Sequence, residues 1–157
     1  MKPLFLLSIL LLSLTLFSAE IIGIVIKVAD GDTITVLDDN NKKHKIRLAK
    51  IDAPELRQSF GIESKNYLES LIYNKPIRVL YSSIDRYKRI LGIVCLGDKE
   101  INLIMLVNGF AWHYYTDKTP SYIQAEKSAR DKRIGLWSES NPMNPYIFRK
   151  NQKKNRK

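Results

Sequence analysis

The sequence of 157 residues contains one cysteine, seven glycines and six prolines. A single thiol, Cys95, excludes an internal disulfide and any multi-cysteine zinc site. Only His44 and His113 join it as nitrogen or sulfur donors, a poor set for zinc, and all three read as structural residues. So few glycines and prolines exclude a collagen-like or Pro/Gly low-complexity chain. The 45% hydrophobic and 27% charged residues exclude a largely disordered one. What remains is one globular domain held together by hydrophobic burial.

Acidic residues are also scarce, 16 against 26 basic ones, for a formal net charge of +10. Such an excess points to a polyanionic partner, nucleic acid or an anionic membrane. The charge is unevenly spread. Arg149, Lys150, Lys153, Lys154, Arg156 and Lys157 crowd the last nine residues, and Lys2 stands at the start. That leaves 19 basic residues facing all 16 acids, so residues 3 to 148 are nearly balanced. The tail at 149–157 has no apolar periodicity and reads as disordered, either a solvated solubility segment or a means of capturing phosphates.

Residues 1–19 read as a secretory signal. Lys2 precedes an apolar run from Leu4 to Phe17 broken only by Ser8, Ser13 and Thr15, with cleavage expected near Ser18 or Ala19. This run falls short of the roughly 20 residues that span a bilayer. An uncleaved N-terminal anchor is the alternative, because apolar Ile21 to Ile26 follows beyond Glu20. The chain is therefore expected to be exported, secreted or periplasmic, with the folded domain at 20–148 and membrane attachment only if the leader is retained.

Within that domain the first half is rich in β-branched residues and the second is helical. Ile21–Val28, Thr33–Leu37 and Lys43–Ile51 are predicted strands, with Asp38-Asp39-Asn40-Asn41 turning between the last two. A helix over Ile62–Tyr73 follows, stopped by Asn74-Lys75-Pro76. Two further strands are predicted at Ile77–Tyr81 and Ile90–Leu96, then helices at Asn102–Asn108 and Ser121–Arg133, closed by Gly109 and Gly135. The order predicts an α+β, mainly β fold: a five-stranded OB-like barrel with a helix between strands 3 and 4 and C-terminal helices. Strand alternation puts Ile46 and Leu48 on one face and Arg47 on the other, away from the core. Leu136 and Trp137 are expected to pack the last helix on the barrel.

Three segments are more polar than their positions require. Asp30-Gly31-Asp32-Thr33 fits either an ordinary Asp-Gly turn or a site. Ile51-Asp52-Ala53-Pro54-Glu55-Leu56 either caps the following helix or presents two carboxylates at a strand end. Asp85-Arg86-Tyr87-Lys88-Arg89 fits a solvated loop or a phosphate-binding one. Together, Asp32, Asp52 and Glu55 would meet at neighbouring loop ends, where uncompensated carboxylates repel unless a cation joins them. Calcium suits oxygen donors in irregular geometry. Arg47 and Arg89 would complete the chemistry of phosphodiester hydrolysis, since a planar guanidinium donates bidentately to phosphate oxygens and stays charged.

These segments, with Ile46-Arg47-Leu48-Ala49-Lys50-Ile51-Asp52-Ala53-Pro54-Glu55 and Ile-Asn-Leu-Ile-Met-Leu-Val-Asn-Gly-Phe-Ala at 101–111, resemble the staphylococcal (micrococcal) nuclease, or thermonuclease, family. The likeness runs over about residues 21 to 138. It implies an OB barrel and a calcium-dependent hydrolase that cuts DNA and RNA, single-stranded or locally opened, with little sequence preference and 3′-phosphate products. No protein partner is implied, and a monomer is expected. Asp32 and Asp52 would hold the metal with the backbone carbonyl of Ala53, and Glu55 would act as general base. Arg47 and Arg89 would hold the scissile phosphate, and Tyr87 and Tyr115 would flank the nucleotide, where an aromatic face stacks any base. Lys88 departs from the family glycine between Tyr87 and Arg89, which predicts a different backbone angle there. A non-catalytic OB-type nucleic-acid-binding module is the competing reading. Retention of all three acids disfavours it, because bare carboxylates repel phosphates.

Overall fold

The computed structural model describes residues 19–155. The leader reading therefore lies outside the described residues, as do Arg156 and Lys157. Strand β1 (Ala19–Asp30) is followed by β2 (Thr33–Asp38), β3 (Lys43–Leu48) and the short β4 (Ile51–Asp52), and then by α1 (Gly61–Ile72). Next come β5 (Pro76–Ile84), β6 (Ile90–Leu96), β7 (Lys99–Glu100), α2 (Ile101–Val107) and β8 (Trp112–His113). Helix α3 (Pro120–Asp131), a 3₁₀ turn at Gly135–Ser138 and α4 (Pro145–Lys154) complete the chain.

Strands β3, β2, β1, β5 and β6 form a ladder in that order, and a parallel pairing of β3 with β6 closes it into a five-stranded barrel. Closure leaves no unpaired edge among these strands. Alternation places Val25, Ile34, Val36, Ile46, Leu48, Val79 and Val94 inside, all fully buried. Irregularities in the β1–β2 register after Val25 and after Val28 shift the phase of β1, so that Val28 and not Lys27 faces the core. Leu68 and Ile72 of α1 and Met105 and Leu106 of α2 cap this core, each worth about 1.5–3 kcal/mol of burial. Leu136 and Trp137 are buried, but off the barrel core on which they were expected to pack: they form a separate smaller cluster with Ala129 of α3, against Phe60 and Trp112. The Arg130 guanidinium lies 3.7 Å from the Trp137 ring centroid and 4.7 Å from that of Trp112.

Two further expectations need correction. The predicted strand Lys43–Ile51 is two strands: Lys50 takes a left-handed backbone, φ 65°, which turns the chain out of the barrel. Residues Ile51 and Asp52 then pair with His113 and Trp112 of β8. The tail expected to be disordered from residue 149 is helical through Lys154. The Asn144 side chain accepts from the Tyr146 amide, and Pro145 occupies the first turn, where its missing N–H costs nothing.

The closure beside β4 depends on Asn102, which is fully buried. Its Oδ1 accepts from the Val94 amide at 2.9 Å, and its Nδ2 donates to the Ala49 and Gly92 carbonyls at 2.9 and 3.0 Å. One side chain thus ties β6 to the turn between β3 and β4. Asn102→Ala is expected to lower unfolding free energy by about 3 kcal/mol in urea titrations, since three buried backbone groups lose their side-chain partner.

Candidate active site

The turn between β1 and β2 approaches Ala53 and α1 so closely that a Cβ on Gly31 would lie 2.0 Å from Ser64 Oγ and 2.7 Å from Ala53 Cβ. Glycine at this position lets the Asp30-Gly31-Asp32-Thr33 turn seat itself against β4. Asp32 is held there by its Oδ2, which accepts from the Ala53 amide at 2.8 Å, and by its Oδ1, which accepts from the Thr33 hydroxyl at 3.1 Å. Both Asp32 and Asp52 are buried. A Cβ on Gly61 would lie 2.0 Å from the Glu55 carbonyl, so the loop carrying Glu55 is pressed onto the start of α1.

Arg47 leaves β3 on the side opposite Ile46 and Leu48, as alternation predicts, and pairs across the ladder with Thr33. Its Nη1 donates to the Leu48 and Ile51 carbonyls at 2.7 and 2.9 Å. Its Nη2 lies 3.0 Å from both Asp32 Oδ2 and Asp52 Oδ1. The guanidinium is therefore a cross-brace between two buried carboxylates, with its side chain only 11% exposed.

The carboxylates are not uncompensated, contrary to the expectation from their residue types. Besides Arg47, Arg149 of α4 reaches into the same cluster: its Nη2 lies 2.8 Å from Asp52 Oδ2 and its Nη1 2.8 Å from Glu55 Oε1. Burial alone would lower the pKa of this arginine, but its hydrogen bonds to Asp52 and Glu55 outweigh that and raise it. Burial also pushes Asp32 up to about 6, with Arg47 opposing the rise and neighbouring Asp30 adding to it. A carboxylate so placed gains strongly from any further cation that reaches it.

Arg89 enters from the β5–β6 hairpin. Its Nε donates to Asp85 Oδ2 at 2.8 Å, and its Nη1 reaches Thr33 Oγ1 at 3.5 Å, which links it through Thr33 to Asp32. The hairpin is closed by Asp85 and Arg89 backbone bonding and by Asp85 Oδ1, which accepts from the Tyr87 and Arg89 amides. Lys88 adopts φ 61°. It takes the left-handed conformation that glycine would favour, at a cost in strain.

Tyr87 is 63% exposed and Tyr115 66%. Arg86 and Arg89 flank the Tyr87 ring at 4.9 and 5.5 Å. Tyr115 sits 5.1 Å from Tyr114 and 6.0 Å from Tyr146 of α4, centroid to centroid. Of the crowded aromatics after Ala111, Trp112 is committed to Trp137 and Arg130, and Tyr115 offers the freest face. All eight residues expected to form a site line one open cleft of about 1060 Å³: Asp32, Arg47, Asp52, Ala53, Glu55, Tyr87, Arg89 and Tyr115. His44 pairs with Asp38 at 2.7 Å and His113 with Asp117 at 2.8 Å, and neither lines it. Arg149, Lys150, Lys153 and Tyr146 also line the cleft. Sequence reasoning missed them as site residues because the basic tail masked a helix start, Asn144-Pro145, and a one-face spacing of residues 146, 149, 150 and 153.

The donor chemistry fits a hard divalent ion. Asp32 and Asp52 are desolvated oxygen donors already bridged by one cationic nitrogen, and Ala53 follows directly with its backbone carbonyl. Among the described residues no three His, Cys, Asp or Glu side chains form a ready cluster, so the acid pair would need that carbonyl and water to complete a shell.

The OB-like barrel thus gathers buried carboxylates and three arginines, Arg47, Arg89 and Arg149, in one open cleft. Residues 45–139 match the family described as staphylococcal nuclease homologue, and the chain belongs to that family. A Haemophilus influenzae protein named "Uncharacterized endonuclease" is 45% identical over 132 residues, 83% of this chain and 74% of the relative. The Shigella flexneri "Micrococcal nuclease" is 38% identical over 147 residues, 86% of this chain and 84% of the relative. The Arabidopsis thaliana "Staphylococcal-like nuclease CAN1" is 40% identical over 113 residues, 71% of this chain and 35% of the relative. Relatives with nuclease names support nuclease activity in this chain.

Two outcomes follow from the hairpin. A left-handed non-glycine residue costs roughly 1–2 kcal/mol, partly offset by glycine's larger entropy loss of roughly 0.5–1 kcal/mol. Lys88→Gly is thus expected to raise unfolding free energy by about 0.5–1 kcal/mol in urea titrations. Burial would raise the Asp85 carboxyl, but the Arg89 and Tyr87 amides and the Arg89 guanidinium hold it below the ordinary 3.8. That support is fully present above pH 3.8 and is lost as pH falls through the depressed value. The Arg89 Nε–H resonance is expected to stay protected from exchange above that range and to lose protection below it.

Proposed function

We propose that the chain is an exported, calcium-dependent nuclease that hydrolyses DNA and RNA, single-stranded or locally opened, with little sequence preference. The observation that carries this reading is the alternation in one cleft of the acids Asp32, Asp52 and Glu55 with Arg47 and Arg89. Asp32 and Asp52 with the Ala53 carbonyl would hold the ion, which when bound supplies Lewis acidity to a nonbridging phosphate oxygen.

Glu55 would take the proton of the attacking water as general base, its loop held by Gly61 and its side chain partly exposed toward the cleft. Water oxygen bonds to phosphorus as the P–O5′ bond breaks; the departing oxygen takes up a solvent proton to become a 5′-hydroxyl, Glu55 returns its proton to solvent, and a 3′-phosphate is left. Arg89, fixed by Asp85, donates to the phosphate oxygens as charge builds on them, and Arg47 would do so by exchanging a carboxylate partner for the phosphate, since its Nη atoms are engaged by Leu48, Ile51, Asp32 and Asp52. Tyr87 and Tyr115 stack the neighbouring bases, a mode that tolerates any base and therefore fits low sequence preference. The protein acts as a monomer, and its leader is removed during export.

One observation favours a second reading, a non-catalytic nucleic-acid-binding module: Arg149 caps Asp52 and Glu55 as though they were permanent ion-pair partners. The two readings separate in one assay. Purified residues 20–157 are expected to degrade single-stranded DNA and RNA with millimolar calcium at alkaline pH, and chelation is expected to stop them. Intact substrate under those conditions would overturn the nuclease reading. Within it, Glu55→Gln and Arg89→Lys are each expected to lower kcat by about 10²–10³-fold, since losing one group that acts on the transition state costs roughly 3–4 kcal/mol. N-terminal sequencing of the exported protein checks leader removal.

A further inference from the structure

Helix α4 buries little of its own surface. Pro145 is its one buried residue. Arg149 holds it through Asp52 and Glu55, and the Tyr146 ring lies beside Tyr115. Tyr146, Arg149, Lys150 and Lys153 fall within about 100° of one another around the helix axis, and all four line the cleft. Lys150 and Lys153 are exposed, and Tyr146 is 51% exposed.

We propose that this face of α4 is a second wall for a single-stranded polynucleotide, outside the position of the cleaved phosphate. Arg149 is the anchor that points the face into the cleft, Tyr146 extends the aromatic surface begun by Tyr115, and Lys150 and Lys153 contact backbone phosphates. Tyr146 to Lys153 spans about 10 Å of helix, against an axial rise of roughly 3.4 Å per phosphate of one duplex strand, which the phosphate-to-phosphate distance along a single strand exceeds. The wall is therefore long enough for one or two nucleotides beyond those held by the barrel. Charge complementarity selects the occupant: a stripe of cations beside an exposed aromatic pair is the combination that holds single strands through backbone and base together. The proposal rests on the nucleic-acid reading above, but not on cleavage.

The test is binding by fluorescence anisotropy in chelator, comparing labelled dT4 with dT16 for the native chain, Lys150→Gln/Lys153→Gln and the triple variant that adds Tyr146→Ala. The triple variant is expected to weaken dT16 at least tenfold more than dT4, and Lys150→Arg/Lys153→Arg is expected to restore dT16 binding. The slope of log affinity against log salt for dT16 should fall by about 1.4 in the double variant, two phosphate contacts at roughly 0.7 each. Equal losses on both lengths, or no loss on dT16, would overturn the proposal. So would loss of binding to vesicles of anionic phospholipid with dT16 unaffected, which would make the stripe a membrane-surface contact. A chain that cuts nothing yet binds dT16 through these residues would sink the nuclease reading and leave this one standing.

Discussion

Asp32 and Asp52 are 6% and 5% exposed, and carboxylates so far from water are tolerable only beside fixed cations. Around them the structure builds an alternating series. Asp85 holds Arg89, Arg89 reaches Asp32 through Thr33, Arg47 joins Asp32 to Asp52, and Arg149 joins Asp52 to Glu55. Each charge has an opposite neighbour, and Arg47, Asp52 and Arg149 each have two. The series draws on the β1–β2 turn, β3, β4, the loop before α1, the β5–β6 hairpin and α4. It is thus the one feature on which nearly every part of the chain converges.

The barrel's contribution is placement. Parallel closure of β3 on β6 sets Arg47 across from the hairpin that carries Arg89. The two-residue ladder of β4 with β8 fixes Asp52, while Asn102 braces the turn just before it. The apolar interior does not touch the chemistry, but it makes the strand ends rigid, and a site on strand ends is held more tightly than one on free loops. α4 differs in kind. Its attachment is ionic and partly exposed, so it is the element whose position depends most on what else occupies Asp52 and Glu55.

Much of this was legible residue by residue. The alternation of Ile46, Arg47 and Leu48 predicted a core face and a site face, and the β-branched first half predicted the barrel strands. The acidic and basic segments at 30–33, 51–56 and 85–89 were visible as anomalies, and the structure brings them into one cleft. The break at Lys50 was not legible, because a lysine in left-handed geometry carries no sequence signal as glycine would. Lys88 is a second such case: its side chain gives no sign of a left-handed backbone, and the Asp85 carboxylate accepts from the Tyr87 and Arg89 amides on either side of it. Arg149 was hidden by composition. Six cations in nine residues read as a disordered tail, solvated or phosphate-capturing, and only the folded chain shows that one of them finds Asp52, 97 residues away.

The sequence by itself determined the fold class, because periodicity and turn chemistry are local, and it determined the family, because several spaced motifs recur together. Only the tertiary structure decided how the charges pair. Which guanidinium meets which carboxylate depends on contacts between residues dozens of positions apart, and no local pattern records them. For that reason the acids of this site, read as an uncompensated trio in the sequence, stand in the folded protein as members of a paired network that includes a helix the composition concealed.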